Sequence, residues 1–227
     1  MNLRVLVKSV IAHSGIPMSF RIRALNDLLD LGKWIQQNPP RFHASDRFEL
    51  YRYLNTEVLR DGPIDYLEFG VYRGESIRTW AALNRNPQSR FIGFDSFEGL
   101  PEDWRMVTAT MKKGTFSTDG QIPDVGDSRV GFEKGWFHQS LPKFLRNFQP
   151  CRPMVLHLDA DLYSSTLFVL ASLNPFVAPG TILVFDEFSS ASNEFRALVD
   201  YCRSFNRKVR TLASTHDFHT QLACEIT

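Results

Sequence analysis

The chain of 227 residues contains 43% hydrophobic and 22% charged residues and has a formal net charge of +1. This length suits one α/β domain with some decoration, and the charge argues against nucleic acid or an anionic membrane as a partner. No stretch approaches the roughly 20 continuous apolar residues of a membrane span. Three cysteines without C-x-x-C spacing favour a reducing, cytoplasmic location over a disulfide framework or a zinc site.

Residues 1–62 are predicted to form a helical extension in front of an α/β body, residues 63–227. Apolar residues recur at helical spacing in "RIRALNDLLDLGKWIQQ", and Pro39-Pro40 ends that helix. A second helix is predicted over "DRFELYRYLNTEVLR". Gly62-Pro63 then separates the extension from the body.

The body alternates short apolar segments with helical patterns. Strands are predicted at "DYLEF", "RFIGF", "RVGFEKGWF", "PMVLHLD", "TILVFD", "KVRTLAS" and "FHTQLACEI", the last two forming an antiparallel hairpin. Strands separated by helices imply right-handed crossovers and a mainly parallel sheet with helices on both faces. The predicted fold is a doubly wound α/β sheet, in which ligands bind at the carboxyl ends of the strands.

Acidic residues stand at four of these strands. Glu68 lies in the first strand, and Asp95 ends the second. Asp159 ends the fourth strand, and Asp186 and Glu187 end the fifth. A single acid at a strand end is commonly the N-cap of the next helix, but acids at all of these ends favour a ligand site.

The turn after the first strand, "EFGVYRGES", is typical of a ligand site without a phosphate. Tyr72 stands where a dinucleotide-binding fingerprint has its middle glycine, and Glu75 replaces the lysine of a P-loop. The turn suits a cationic group near Glu68 and a small anion at the helix N-terminus near Ser76. S-adenosylmethionine fits, because its amino-acid end carries both charges and the molecule has no phosphate.

The rest of this cofactor is expected along the same rim. Asp95 can accept hydrogen bonds from both ribose hydroxyls. Gly135 gives backbone access, and Trp136 offers an aromatic face for adenine, although it could also be an ordinary core residue. Phe69 and Ser96, next to these positions, complete the predicted cofactor site.

Asp159, Asp186 and Glu187 form a second predicted group, because neighbouring parallel strands should bring their ends together. Crowded carboxylates raise one another's pKa unless a cation neutralises them, and such oxygen ligands suit Mg²⁺. The metal could lower the pKa of a substrate hydroxyl, and Asp159 could receive the proton. The alternative is that Asp186 or Glu187 caps the following helix and no metal binds.

The histidines are less informative. His138, His216 and His219 are predicted near loop ends on the same rim, where one of them could reach a substrate. His157 lies inside an apolar strand and is interpreted as a hydrogen-bonded core residue.

Five segments, in order, resemble the macrocin- and mycinamicin-type O-methyltransferases. They are "YLEFGVYRGESI", "GFDSFEGLPEDW", "KGWFHQSLP", "LHLDADLYSST" and "TILVFDEF". These are S-adenosylmethionine-dependent enzymes of natural-product tailoring. The resemblance runs from about Phe48 to the C-terminus and implies a class I methyltransferase fold, with a seven-stranded sheet whose last strand is antiparallel.

The resemblance also implies positions for the ligands. It places the cofactor over Glu68, Gly70, Tyr72, Ser76, Asp95, Gly135 and Trp136. It implies Mg²⁺ at Asp159, which is also the family's proposed base, and at Asp186 and Glu187. The family usually has two aspartates in the last pair, so Glu187 is a departure that bears on metal binding.

The predicted function is therefore a cytoplasmic, Mg²⁺-assisted O-methyltransferase acting on a small natural-product-like acceptor, with a sugar hydroxyl implied by the resemblance. The resemblance also implies a homodimer, with residues 1–62 as lid or dimer contact. Three alternatives stay open: a metal-independent methyltransferase acting on another atom, a nucleotide- or NAD-binding Rossmann protein, and a non-catalytic scaffold. The polar segment from Trp104 to Pro123 is expected to be a mobile lid over a polar acceptor, or else a plain surface loop.

Overall fold

A computed structural model describes residues 20–106, 109–150, 152–216 and 218–227. Its strands are β1 (Phe42–Ala44), β2 (Asp65–Phe69), β3 (Arg90–Asp95), β4 (Trp104–Arg105), β5 (Thr110–Met111), β6 (Val130–Lys134), β7 (Met154–Leu158), β8 (Ile182–Phe185), β9 (Val209–Thr215) and β10 (Leu222–Ile226). Its helices are α1 (Phe20–Gln37), α2 (Arg47–Tyr53), α3 (Glu75–Leu83), α4 (Phe137–Leu145), α5 (Tyr163–Leu173) and α6 (Arg196–Ser204). Turns of π geometry follow α2 (Leu54–Val58) and precede α6 (Ala191–Phe195), and a 3₁₀ turn (Asn174–Phe176) follows α5.

The main sheet has the strand order β1-β9-β10-β8-β7-β2-β3-β6. All of these strands run parallel except β10, which is antiparallel to both β8 and β9. The predicted doubly wound sheet with an antiparallel last strand is confirmed. The short edge strand β1 is additional to the seven predicted strands, because a three-residue strand is too short to show a periodicity.

Helices cover both faces of the sheet. Residues of β2 alternate between the faces, so that Leu67 and Phe69 join the apolar cluster under α4, α5 and α6, while Tyr66 joins the cluster under α2 and α3. The central strands β2, β7 and β8 are buried throughout. This burial on both faces is why "MVLHL" and "ILVF" are nearly continuous apolar runs.

The helix α1 packs against the segment that precedes α6. Asp27 accepts a hydrogen bond from Ser192 Oγ at 2.8 Å and lies 3.6 Å from the guanidinium of Arg196. The ring of Trp34 lies 5.1 Å from that of Phe188. In the part of the chain described, no helix is long and apolar enough to cross a membrane.

The turn between β2 and α3 passes very close to the chain that leaves β7. Gly70 has a φ of +96°, and a Cβ atom there would lie 1.8 Å from the carbonyl oxygen of Asp159. Only glycine combines this backbone conformation with this approach. The glycine is therefore required by contact between two strand ends.

Gly70→Ala should lower the free energy of unfolding more than Gly180→Ala. Gly180 has a nearly equal φ of +93°, but a Cβ there would meet nothing within 4 Å. Both variants carry the strain of a left-handed alanine, about 1–2 kcal/mol. Only Gly70→Ala adds overpacking, typically about 1–3 kcal/mol. Urea unfolding measures the free energy of unfolding of both variants. Equal losses in the two variants would contradict the close approach of Gly70 to Asp159.

Candidate functional site

A cavity of about 1300 Å³ opens at the carboxyl ends of the parallel strands. Its lining comes from the turns that follow β2, β3, β6, β7 and β8, and from the segment that contains β4 and β5. Pockets for one small ligand usually measure about 300–1,000 Å³. The cavity therefore has room for two ligands side by side.

Most of the predicted cofactor residues line this cavity. They are Gly70, Tyr72, Ser76, Asp95, Ser96, Gly135, Trp136 and Asp159. Glu68 and Phe69 are fully buried and are not part of the lining. The Phe69 ring stacks on Phe94 at 4.8 Å in the core. The Glu68 carboxylate lies in the layer between the sheet and α2.

Asp95 holds the turn between β2 and α3 in shape. Its Oδ2 accepts hydrogen bonds from the backbone N–H groups of Val71 and Tyr72, both at 2.8 Å. Its Oδ1 accepts one from the N–H group of Phe97 at 2.7 Å. A carboxylate oxygen has about two lone pairs, so Asp95 retains capacity for one further donor rather than for the two ribose hydroxyls of the sequence prediction.

The N-terminus of α3 is open to an anion. Gly74 is its N-cap at a φ of +74°, and no side chain caps the helix. The first-turn N–H groups therefore remain free to bind a negatively charged ligand. Tyr72 adopts a left-handed φ of 51°, and its ring lies 5.7 Å from that of Phe116. An aromatic ring thus occupies the place where a dinucleotide fingerprint leaves room for pyrophosphate.

Carboxylates crowd the part of the cavity that follows β7 and β8. Asp159, Asp161, Asp186 and Glu187 line it, and Glu194 is fully buried behind them. Burial and repulsion from Asp186 raise the pKa of Asp159 well above its usual range. Burial, together with repulsion from Glu187, raises the pKa of Asp161 to about 7. Burial and repulsion from Asp186 raise the pKa of Glu187 to about 7.

None of these acids caps a helix. The N-cap of α5 is Leu162, and the N-cap of the π turn before α6 is Ser190; neither position has a side-chain cap bond. The capping alternative is therefore wrong for Asp159, Asp186 and Glu187. Two oxygens of the cluster, Asp186 Oδ1 and Glu194 Oε1, are buried without a hydrogen-bond partner among the described residues.

Arg47 from the helical extension also reaches this cluster. Its guanidinium lies 3.9 Å from Asp186 Oδ2 and forms an ion pair with Glu75. Burial opposes the charge of Arg47, but attraction to Asp186 and Glu75 raises the pKa of its guanidinium above the usual value. A cation of the protein thus balances part of the negative charge.

Sequence reasoning missed the contributions of Arg47, Asp161 and Glu194. For Arg47 the sequence offered one signal. A positive charge in the first turn of a helix interacts unfavourably with the helix dipole, which suggests another role for that residue. Asp161 lies two residues beyond the strand-end acid Asp159, and its left-handed φ of 58° is visible only in the structure. Glu194, whose Oε2 accepts a hydrogen bond from the N–H of Glu187 at 3.0 Å, carried no sequence signal.

The segment between β3 and β6 lines the cavity mainly with apolar side chains. They are Leu100, Trp104, Met106, Met111 and Phe116. Its polar residues Thr110, Thr115, Ser117 and Thr118 are not in the lining, whereas Glu102 and Lys113 are. Thr108 falls outside the described residues. Of the three histidines predicted on the rim, His138 lines the cavity, whereas His216 and His219 do not.

Comparison with known proteins places this cavity in context. Residues 43–216 match the family model of macrocin-O-methyltransferase (TylF). The chain is 30% identical over 179 residues to 8-demethyl-8-(2,3-dimethoxy-alpha-L-rhamnosyl)-tetracenomycin-C 4'-O-methyltransferase of Streptomyces olivaceus, with 69% of this chain and 62% of the relative covered. It is 28% identical over 179 residues to demethyldecarbamoylnovobiocin O-methyltransferase of Streptomyces niveus, with 68% of this chain and 66% of the relative covered.

Solved structures agree with the fold. The calicheamicin methyltransferase CalS11 superposes with a TM-score of 0.60 at 21% identity, covering 88% of this chain and 91% of that chain. The alignments with the two Streptomyces relatives span less than two thirds of those proteins' own lengths. The family model, in contrast, matches most of this chain. The chain belongs to the macrocin-O-methyltransferase (TylF) family.

Proposed function

We propose that this protein is an S-adenosylmethionine-dependent O-methyltransferase that methylates a sugar hydroxyl of a small glycoside. The observation that carries the proposal is one cavity with two kinds of surface. The turn between β2 and α3 suits a zwitterion without phosphate, and the carboxylate cluster after β7 and β8 suits a reacting hydroxyl. A dinucleotide remains disfavoured, because Tyr72 and Glu75 line the place where its phosphates would lie.

The cofactor is proposed to bind along the turns after β2, β3 and β6. The free N–H groups of the first turn of α3, near Ser76, receive its carboxylate. Asp95 Oδ1 accepts one ribose hydroxyl, with Ser96 beside it. Gly135 and Trp136 border the adenine. Glu68 is buried beneath the cavity floor, from where its negative charge would attract the cationic group of the cofactor. Phe69 supports the floor through its packing on Phe94.

The acceptor is proposed to lie between the carboxylates and the apolar segment that contains β4 and β5. Trp104, Met106, Met111 and Phe116 suit an apolar aglycone, while the sugar faces the acids. The Streptomyces relatives point the same way, since their names describe methylation of a rhamnosyl-tetracenomycin and of a novobiocin precursor.

The reaction requires a proton acceptor close to the acceptor hydroxyl. As the acceptor oxygen bonds to the methyl carbon, the carbon–sulfur bond breaks and its electron pair returns to sulfur. Asp159 is proposed to take the hydroxyl proton. Asp159 is partly exposed and lines the cavity, and Asp161 stands two residues further along the same cavity wall.

The carboxylate cluster suits Mg²⁺ in its chemistry. Its donors are all oxygens, and Asp186 Oδ1 is buried with no hydrogen-bond partner in the part of the chain that the structure describes. Among the described residues, no three His, Cys, Asp or Glu side chains converge closely enough to hold an ion as they stand. Mg²⁺ commonly uses only one or two carboxylates and keeps several waters. Asp159, Asp186 and Glu187 are the proposed ligand set, of which one or two would bind Mg²⁺ directly and the rest through its waters. Bound Mg²⁺ would supply positive charge that favours loss of a hydroxyl proton.

The exposed face of α1 supports the proposal of a homodimer. Ile22, Leu25, Leu28 and Leu29 are exposed on it, with Leu29 at 67%. The helix cannot turn this stripe inward, because Asp27 on its other face is held by Ser192 and Arg196. A two-fold axis through the stripe would bury both copies of it at once. Within residues 1–62, α1 would then form the dimer contact, while β1 and α2 pack against the domain of residues 63–227.

A cytoplasmic location completes the proposal. Cys202 and Cys224 are both free thiols. Burial raises the pKa of the Cys202 thiol to about 11 and that of Cys224 well above its usual value. Unpaired, unreactive thiols of this kind suit a reducing compartment.

Asp159→Asn should keep affinity for S-adenosylhomocysteine and lose methyl transfer. Loss of a general base typically lowers the rate roughly 10²–10⁴-fold. Calorimetry measures binding, and mass spectrometry measures methylation of a panel of deoxysugar glycosides. Asp161→Asn is the matched variant, expected to lose less. Near-normal turnover of Asp159→Asn would remove Asp159 as the base, and a wild type that does not bind S-adenosylhomocysteine would overturn the proposed function.

The metal-free protein should become less stable as the pH rises from 5 to 8. Carboxyl groups of an unfolded chain titrate near 4, whereas Asp161 and Glu187 titrate near 7 when folded. The folded protein therefore binds more protons in that window, and its free energy of unfolding falls as they leave.

Added Mg²⁺ should raise the melting temperature of EDTA-treated protein more at pH 8 than at pH 6, because the ion competes with protons for carboxylates. Ca²⁺ serves as the comparison ion, and differential scanning fluorimetry follows the melting. If neither pH shows a shift with Mg²⁺, the metal part of the proposal fails, while the methyltransferase part stands or falls on cofactor binding.

Leu25→Glu combined with Leu29→Glu should convert a dimer into a monomer, because charges would enter the apolar contact. Light scattering after gel filtration measures the mass, and circular dichroism checks the fold. Phe218→Glu, at a residue 64% exposed elsewhere, is the control and should stay dimeric. A monomeric wild type would contradict the proposal.

A further inference from the structure

A buried chain of polar side chains runs beneath the turn between β2 and α3. Tyr66 O–H donates a hydrogen bond to Glu68 Oε2. The Tyr66 oxygen lies 2.6 Å from His157 Nδ1, and His157 Nε2 lies 3.3 Å from the Tyr51 hydroxyl. The Ser76 side chain, in the cavity wall, interacts with the same Tyr51 hydroxyl and favours its ionised form. The chain thus connects the cavity wall with Glu68.

Its members come from four separate elements. Tyr66 and Glu68 share one face of β2, and His157 of β7 stands opposite Glu68 in the parallel register. Tyr51 comes from α2 in the helical extension, and Ser76 from the first turn of α3. Tyr51, Tyr66, Glu68 and His157 are fully buried, so water does not compete for these bonds.

The hydrogen-bond roles follow from the Glu68 end. A carboxylate only accepts, so Tyr66 must donate to it and accept from His157 Nδ1–H. With Nδ1 as the donor, Nε2 is left to accept from the Tyr51 O–H. Burial, together with repulsion from nearby carboxylates, raises the pKa of both tyrosines well above their usual value, so both keep the proton that they donate.

Two acceptors remain at the ends of this chain. Ser76 lines the cavity, and its hydroxyl oxygen can accept a hydrogen bond from a ligand there. Glu68 Oε1 is buried and has no partner among the described residues. Leaving a buried acceptor unpaired is costly, so these positions favour a ligand that brings donors or positive charge.

We propose that Tyr51, His157 and Tyr66 are positioning residues that orient Ser76 and Glu68 for the ammonium group of the cofactor's amino-acid end. His157 is the buried, hydrogen-bonded core residue that its sequence position indicates, and it also links the two tyrosines. The inference rests on the proposed function for the identity of the ligand. It also gives the helical extension a role in cofactor binding through Tyr51.

The test compares two ligands that differ at the amino-acid end. S-adenosylhomocysteine carries the ammonium and carboxylate groups, whereas 5′-methylthioadenosine lacks both. Tyr66→Phe and His157→Leu should weaken binding of S-adenosylhomocysteine about tenfold or more, the scale of a lost hydrogen bond to a charged group. Affinity for 5′-methylthioadenosine should stay unchanged in both variants, as measured by calorimetry.

Controls separate positioning from stability. Tyr201→Phe removes another buried hydroxyl, which donates to Asn174 at 3.1 Å, and should alter stability without changing the affinity ratio of the two ligands. His157→Asn keeps a donor near the Nδ1 position and should recover part of the ratio lost in His157→Leu.

The outcomes are distinct. An unchanged ratio in Tyr66→Phe, with wild type binding S-adenosylhomocysteine normally, would overturn the inference and leave the proposed function intact. Equal weakening for both ligands would also overturn it, because that result indicates general loosening of the site. If Tyr66→Phe fails to fold, Tyr51→Phe at the α2 end decides by the same ratio. A wild type that binds neither ligand would overturn the proposed function itself.

Discussion

The approach of the β2–α3 turn to the chain leaving β7 is the contact on which the cavity depends. Asp159 N–H donates to the Phe69 carbonyl at 2.9 Å, and Gly70 N–H donates to the Phe94 carbonyl at 3.0 Å. Backbone hydrogen bonds therefore join the ends of three adjacent strands. Since no side chain fits between Gly70 and Asp159, the turn and the first carboxylate of the cluster keep one spacing. The two surfaces of the cavity meet at this point.

Electrostatic repulsion within the carboxylate cluster favours binding of a positively charged partner on that side of the cavity. Several carboxylates share a region that is largely removed from water, and Arg47 lies near Asp186 as an opposing cation. Folding alone does not relieve their repulsion, as the raised pKa values of Asp159, Asp161 and Glu187 indicate. Crowded, partly buried carboxylates lower the stability of the folded protein, and carboxylates with raised pKa values are common at functional sites.

The helical extension contributes to the site as well as to the surface. Arg47 and Tyr51 lie about one turn apart on α2, one at the carboxylate cluster and the other in the buried chain that leads to Glu68. The strand β1 pairs with β9 and anchors the segment before α2 at the sheet edge. Movement of α2 would therefore disturb both ends of the cavity together.

The sequence by itself determined the order of the strands along the chain, the doubly wound class and most of the cavity floor. Apolar runs such as "MVLHL" report burial on both faces, and the acids at the strand ends mark the rim. Tertiary structure alone decided the rest. Asp95 is occupied by backbone N–H groups, Glu68 lies under the floor, and Glu194 and Arg47 join the cluster from distant segments. These outcomes depend on contacts between residues far apart in sequence, and on side-chain directions set by packing. The local periodicity of the sequence predicts neither the long-range contacts nor the side-chain directions.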